Sequence, residues 1–139
     1  MSIRQDYIVK LAKQVGQAFK KALGLRDSGQ LSEHRAELSQ AFRGLTGLDI
    51  GLAQALSTPD LLPLLMTSGQ DDPAKRFLAA LLLCEAGATD RAWALWLTLD
   101  DFRALEPMEP DLKMAALALI ERSADECLKP LAAALRPRG

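Results

Sequence analysis

Apolar residues recur at spacings of three and four along almost the whole chain, which is the period of amphipathic helices. The first stripe comprises Tyr7, Ile8, Leu11, Val15, Ala18, Phe19 and Ala22. It predicts a helix over about Ile3 to Leu23, with Gly24 as its stop. Asp27, Ser28 and Gly29 supply turn chemistry between Arg26 and Gln30. A second stripe, Leu31, His34, Leu38, Ala41, Phe42 and Leu45, predicts a helix over about Leu31 to Leu45. A short third helix fits Leu48 to Leu56, although Gly51 falls inside it.

Two X-Pro signals punctuate the middle of the chain. Thr58-Pro59 reads as a cap followed by proline in the first helical position, opening a helix to about Thr67 that Gly69 ends. Asp72-Pro73 repeats the signal and opens the most apolar segment, which runs to about Ala86 and stops at Gly87. Phe77, Leu78, Leu81, Leu82 and Leu83 mark it as the central helix of the fold. Thr89 or Asp90 then caps a helix to about Leu105. Glu106 to Pro110 reads as a linker, Asp111 to Ser123 as a helix, and Pro130 to Leu135 as a short last one before a frayed tail. The sum is an all-α chain of seven or eight helices, with no strand-like alternation bounded by hairpin signals. Short connections make successive helices antiparallel neighbours. At 139 residues the chain is read as a single domain, 1–139.

The segment Pro73 to Leu105 carries a further pattern. Ala79 and Ala80 form a small pair, Leu83 is a large residue before the turn, and Gly87 sits in the turn. Ala92 and Trp96 follow five and nine residues after Gly87, and Leu99 occupies a further packing position. These offsets resemble a tetratricopeptide hairpin, in which small residues let two helix axes approach and an aromatic fills the groove between them. The resemblance implies a right-handed α-α superhelix. A second, shifted copy places Ala115, Ala116, Leu119, Leu128, Ala132 and Leu135 at matching positions. There Ser123 replaces the glycine and Pro130 would interrupt the second helix. The first two helices form a third such hairpin with His34 where alanine is expected. The opening Ile3-Arg4-Gln5-Asp6-Tyr7-Ile8, with Gln14 and a Leu-Gly end, also resembles a family of small bacterial helical proteins that has no assigned activity.

Charge changes the picture at one end. Residues 1–26 carry six basic and one acidic side chain, whereas residues 27–139 carry eleven basic and seventeen acidic, so a helix of net +5 precedes a body of net −6. Lys10, Lys13, Lys20 and Lys21 gather opposite the first apolar stripe. One reading is a basic face for an acidic partner or an anionic membrane surface. The other has the stripe packed on the acidic body, with the lysines in water or paired with carboxylates. The acidic total and the lack of interleaved aromatics argue against nucleic acid. The longest purely apolar run, Phe77 to Cys84, is eight residues, against about 18 or more for a spanning helix, so no transmembrane segment is expected.

Candidate chemistry is sparse. The single histidine, His34, lies on an apolar stripe and reads as a core-boundary residue with one hydrogen bond. A Cys-His nucleophile pair would need His34 to meet Cys84 or Cys127, and no spacing implies it. Both cysteines read as buried, reduced thiols, which favours the cytoplasm. No His/Cys/carboxylate cluster has metal-ligand spacing, and the glycines at 44, 47 and 51 form neither a phosphate loop nor a dinucleotide fingerprint. Asp71-Asp72 reads as helix capping and Asp100-Asp101 as a solvated helix end. Trp93 and Trp96 share one side of a helix; Trp96 reads as core and Trp93 either as core or as an aromatic anchor for a partner. The expectation is therefore a non-enzymatic protein-protein interaction module with no cofactor, meeting a partner or a second copy of itself. Its candidate contact residues are Lys10, Lys13, Lys20, Lys21 and Trp93. The alternative is a small-molecule or lipid sensor with an apolar cavity near Trp93 and Phe77.

Overall fold

The stripe that runs through Ala12, Val15, Phe19 and Ala22 is buried along one side of α1 (Ile3–Asp27) in a computed structural model describing residues 3–100, 102–106, 108–123 and 126–136. The first helix therefore packs on its own body. It turns back into α2 (Leu31–Thr46), which contributes His34, Leu38, Phe42 and Leu45 to the same interface. The helix does not stop at Gly24, which lies exposed within it. The stop is Gly29, whose φ of +80° places it in the left-handed region. The Gln30 N–H donates to the Leu25 carbonyl at 2.8 Å and the Gly29 N–H to Arg26 at 3.0 Å, so the last carbonyls are satisfied by a glycine-closed Schellman turn.

A second hairpin repeats this turn. α5 (Pro73–Glu85) ends at Gly87, φ +96°, where the Ala88 N–H donates to Leu83 at 2.9 Å and the Gly87 N–H to Cys84 at 3.1 Å. α6 (Thr89–Leu97) then runs back along α5. In both hairpins a fully buried alanine lies seven residues before the glycine (Ala22, Ala80), and a fully buried large residue lies nine after it (Leu38, Trp96). Ala79, Ala80 and Ala92 are without solvent contact, as small residues at a close helix crossing must be, and the large Leu83 is fully buried beside them. α5 is the centre of the molecule: every residue from Ala74 to Cys84 is buried, and α1, α2 and α6 all pack on it. Asp72 caps it, accepting from the Lys75 N–H at 3.1 Å, with Pro73 in the first turn.

Between the hairpins the chain makes α3 (Ile50–Ala55) and α4 (Thr58–Leu61), and then tightens into a 3-10 turn, Leu62–Leu65. The cap of α4 is Ser57 rather than Thr58; its hydroxyl accepts from the Asp60 N–H at 3.4 Å. Thr67 and Gln70 exchange backbone hydrogen bonds around Ser68-Gly69, both at positive φ, which closes the approach to α5.

The expected helix to Leu105 ends at Leu97 instead. Arg76 of α5 donates to the Thr98 carbonyl at 3.2 Å and to its hydroxyl at 2.9 Å, and the Thr98 hydroxyl itself donates to Leu95 at 2.6 Å. Groups that would have continued the helix are engaged elsewhere. Asp100 accordingly lies in a connection, and Asp101 falls outside the described residues. A 3-10 turn, Phe102–Leu105, leads to α7 (Pro110–Ser123), a second 3-10 turn, Glu126–Leu128, and α8 (Lys129–Leu135). Pro130 falls in the first turn of α8, where its missing N–H costs no hydrogen bond, so it opens this helix rather than interrupting one. Gly16 of α1 faces α7: a Cβ there would come within 3.3 Å of the Glu109 carboxyl and 3.5 Å of Leu112. The described residues thus form eight α-helices packed around one apolar core and no sheet.

Candidate partner-binding groove

The sequence-predicted contact residues divide into two groups. Lys20 Nζ meets Asp111 Oδ2 at 2.6 Å, joining α1 to the start of α7, and Lys21 Nζ meets Glu37 Oε2 at 3.4 Å, joining α1 to α2. The hydrogen bond to Asp111 raises the Lys20 pKa above its ordinary 10.5. Lys10 and Lys13 are exposed and make no ion pair among the described residues. Trp93 is half-buried, its ring stacked on Trp96 at 5.2 Å between centroids and 28° between planes. Trp96 is core: its indole N–H donates to the Phe77 carbonyl at 3.4 Å. Lys10 and Lys13 lie on α1 and Trp93 on α6, and no described contact brings the two lysines and the tryptophan together.

His34 sits at a joint of three helices. Its Nε2 lies 3.3 Å from Glu85 Oε1 at the end of α5, and the same oxygen accepts from Arg26 Nη1 of α1 at 2.5 Å. The Glu85 carboxylate is 4 % exposed. Cys84 points into the core beside it, and burial pushes its thiol up to about 11, far from a reactive thiolate at neutral pH. Cys127, expected to be buried, is exposed. No group of three or more His, Cys, Asp or Glu side chains that could hold a metal is found among the described residues. No described helix is long and apolar enough to cross a membrane.

A further apolar surface is formed by the C-terminal elements. The Phe102–Leu105 turn, α7 and the α8 end of the chain line a groove of about 490 Å³. Leu105 and Leu135 are buried at its floor, Phe102 is half-buried, and Met114 stands 47 % exposed. Ala133 and Ala134 leave α8 without bulk on this side. The polar part of the lining is Arg103, Lys113, Arg136 and Glu106. Lys113 Nζ donates to the Glu106 carbonyl at 3.1 Å, so it is oriented by a neutral partner and keeps its charge. Arg136 Nη2 approaches Glu121 Oε1 at 3.6 Å, and both side chains are more than half exposed. Water screens such a pair, so it contributes little to stability and the guanidinium can exchange this partner at little cost.

A second cleft, about 420 Å³, lies between α1 and α2, but Gln14 and Gln40 line it and Lys21 and Glu37 pair across it. The α7–α8 groove was not anticipated from sequence. Its trace there is Met114, two residues from both Leu112 and Ala116, which are the buried side of α7. Two residues on a helix is about 200°, so Met114 is an apolar residue on the solvent side.

Comparison of the chain with protein-family models, with curated proteins and with solved structures finds no match. Both resemblances noted above therefore reduce to the coarser statement that this is a small, multi-helix, all-α protein with helical-repeat character.

Proposed function

We propose that the chain is a non-enzymatic interaction module, built as a short tetratricopeptide-like superhelix, that receives a segment of a partner protein in the α7–α8 groove. The observation that carries this reading is the groove itself. Its floor is apolar, and Met114 stands exposed at its edge with Lys113 beside it. The shared glycine turns and matching buried positions of the α1–α2 and α5–α6 hairpins support the repeat architecture. The sensor alternative needs a cavity near Trp93 and Phe77. There the Phe77 ring is fully buried and Trp93 is stacked on Trp96, and neither lines a cavity described above.

Site-specific photocrosslinking in the native cells tests the reading. A photoreactive residue replaces Met114 in the groove or, as a control, the exposed Tyr7 of α1. Adducts larger than the chain are expected from position 114 and not from position 7. An adduct of twice 15.1 kDa identifies a second copy of the chain as the partner. Equal labelling at both positions, or none at position 114, refutes the groove.

A further inference from the structure

We propose that the α7–α8 groove selects an acidic segment of its partner protein, one that inserts an apolar side chain over Met114 and sets carboxylates against Lys113 and Arg136. This inference rests on the reading of the groove as an interaction site and adds the chemistry of what enters it.

From residue 27 onward the chain carries a net charge of −6, yet Lys113 and Arg136 both line this groove, with Arg103 and Glu106 of opposite charge beside them and Glu121 behind Arg136. A local reversal of sign in an acidic body concentrates potential where a ligand docks and repels basic ligands by contrast. Two of the cations flank the apolar floor from different helices, Lys113 beside Met114 on α7 and Arg136 at the end of α8. The Lys113 ammonium is held by a backbone carbonyl, which fixes its position without cancelling its charge. The carboxylate of Glu121 behind Arg136 is at 3.6 Å, longer than the 2.7–2.9 Å typical of a strong charge-assisted bond. A ligand carboxylate can replace that contact with a shorter one.

The apolar half of the groove sets the rest of the ligand. Met114 is flexible and polarisable, and it adapts to side chains of different shape. Ala133 and Ala134 leave room opposite it. An aliphatic or aromatic side chain entering between them would cover exposed carbon on both helices. A nucleic acid would satisfy the cations but would waste this floor, because the one aromatic in the lining, Phe102, is half-buried and offers no open stacking face of the kind single strands use.

Selection of random short peptides displayed on phage, against the immobilised full chain, tests the inference. Enriched sequences are expected to carry at least two Asp or Glu around a Leu, Met or Phe. Synthesised peptides of that type are expected to bind about fivefold less tightly to the Lys113→Gln/Arg136→Gln variant, and to weaken with added salt. Both substitutions lie at the surface, and a circular dichroism spectrum matching the parent's establishes that the fold is retained. Enriched peptides that are neutral or basic, yet lose affinity for Met114→Glu, overturn the charge selection while sparing the groove. Acidic peptides that bind both variants like the parent place the site elsewhere and overturn the groove reading as well. Failure to enrich any sequence overturns both, and tighter binding of oligothymidine than of the selected peptides overturns the assignment to a peptide.

Discussion

Glu85 joins three helices through one carboxylate, and removing it measures how much the α1–α2 hairpin depends on that joint. Its side chain is 4 % exposed, His34 is buried beside it, and Arg26 reaches in from a position that is 45 % exposed. Hydrogen bonds to charged groups contribute about 1.5–3 kcal/mol, and a buried donor left without an acceptor costs about 1–3 kcal/mol. Arg26 regains water when the carboxylate is lost, so its share is small; His34 does not. Glu85→Ala is therefore expected to cost about 2–3 kcal/mol. Glu85→Gln keeps the shape and an acceptor oxygen, and should cost about 1 kcal/mol. For a domain of this size each kcal/mol is about 3–5 °C in Tm, so the alanine variant should melt about 6–15 °C lower. Urea unfolding of Arg26→Met, Glu85→Gln and the double variant isolates the ion pair, for which a coupling of about 1 kcal/mol is expected. A coupling below about 0.3 kcal/mol, with Glu85→Ala within about 0.5 kcal/mol of the parent, would refute the account.

Three further outcomes follow from single residues. Gly24 is an exposed residue inside α1 and its Cβ would meet nothing within 4 Å, so Gly24→Ala should stabilise the chain by about 0.5–1 kcal/mol in urea unfolding; a loss would mean that α1 breaks there. The Lys20 pKa is raised by Asp111, so its stabilising contribution is complete below pH 10.5 and fades as pH climbs through the higher folded value; NMR titration of the Lys20 side chain should give a midpoint above 10.5 that Asp111→Asn restores. Cys127 is exposed, whereas Cys84 is buried with its thiol pushed up to about 11, so a thiol reagent at neutral pH should label position 127 quickly and position 84 only on unfolding. Equal rates would contradict the burial of Cys84.

Helical periodicity made the elements legible, because Val15, Phe19 and Ala22 share a buried face at helical spacing, although Tyr7 of the same stripe is exposed and Ala12, outside it, is buried. Boundaries were legible where a local cause set them. Asp72-Pro73 is such a case, since cap and proline act within one turn. Gly24 misled because a glycine marks a helix end only when the chain needs a positive φ there, and that need arose at Gly29. The end of α6 was beyond local reading. It depends on Arg76, twenty-two residues earlier, which takes the Thr98 carbonyl and hydroxyl. His34 was placed correctly on a buried stripe, but its partner Glu85 comes from another hairpin and no spacing encodes the meeting.

The same distinction explains why the contact residues read from sequence and the groove seen in the structure do not coincide. A cluster of like charges on one helix, such as Lys10, Lys13, Lys20 and Lys21, is visible to periodicity because all its members lie on one element. Folding then engages two of the four, Lys20 with Asp111 and Lys21 with Glu37. The groove has the opposite character. Phe102, Lys113, Met114 and Arg136 come from a turn and two helices, and each alone is an ordinary surface residue. Only Met114 breaks the pattern of its own helix. An apolar residue out of phase with a buried stripe is a cost in solvent that packing within the chain does not offset. Where such a residue lines an open groove between cations, covering it with a partner's side chain supplies the burial that the fold omits. The position out of phase is thus the informative one, and substituting Met114 with glutamate should leave folding stability nearly unchanged while removing the groove's affinity for its partner.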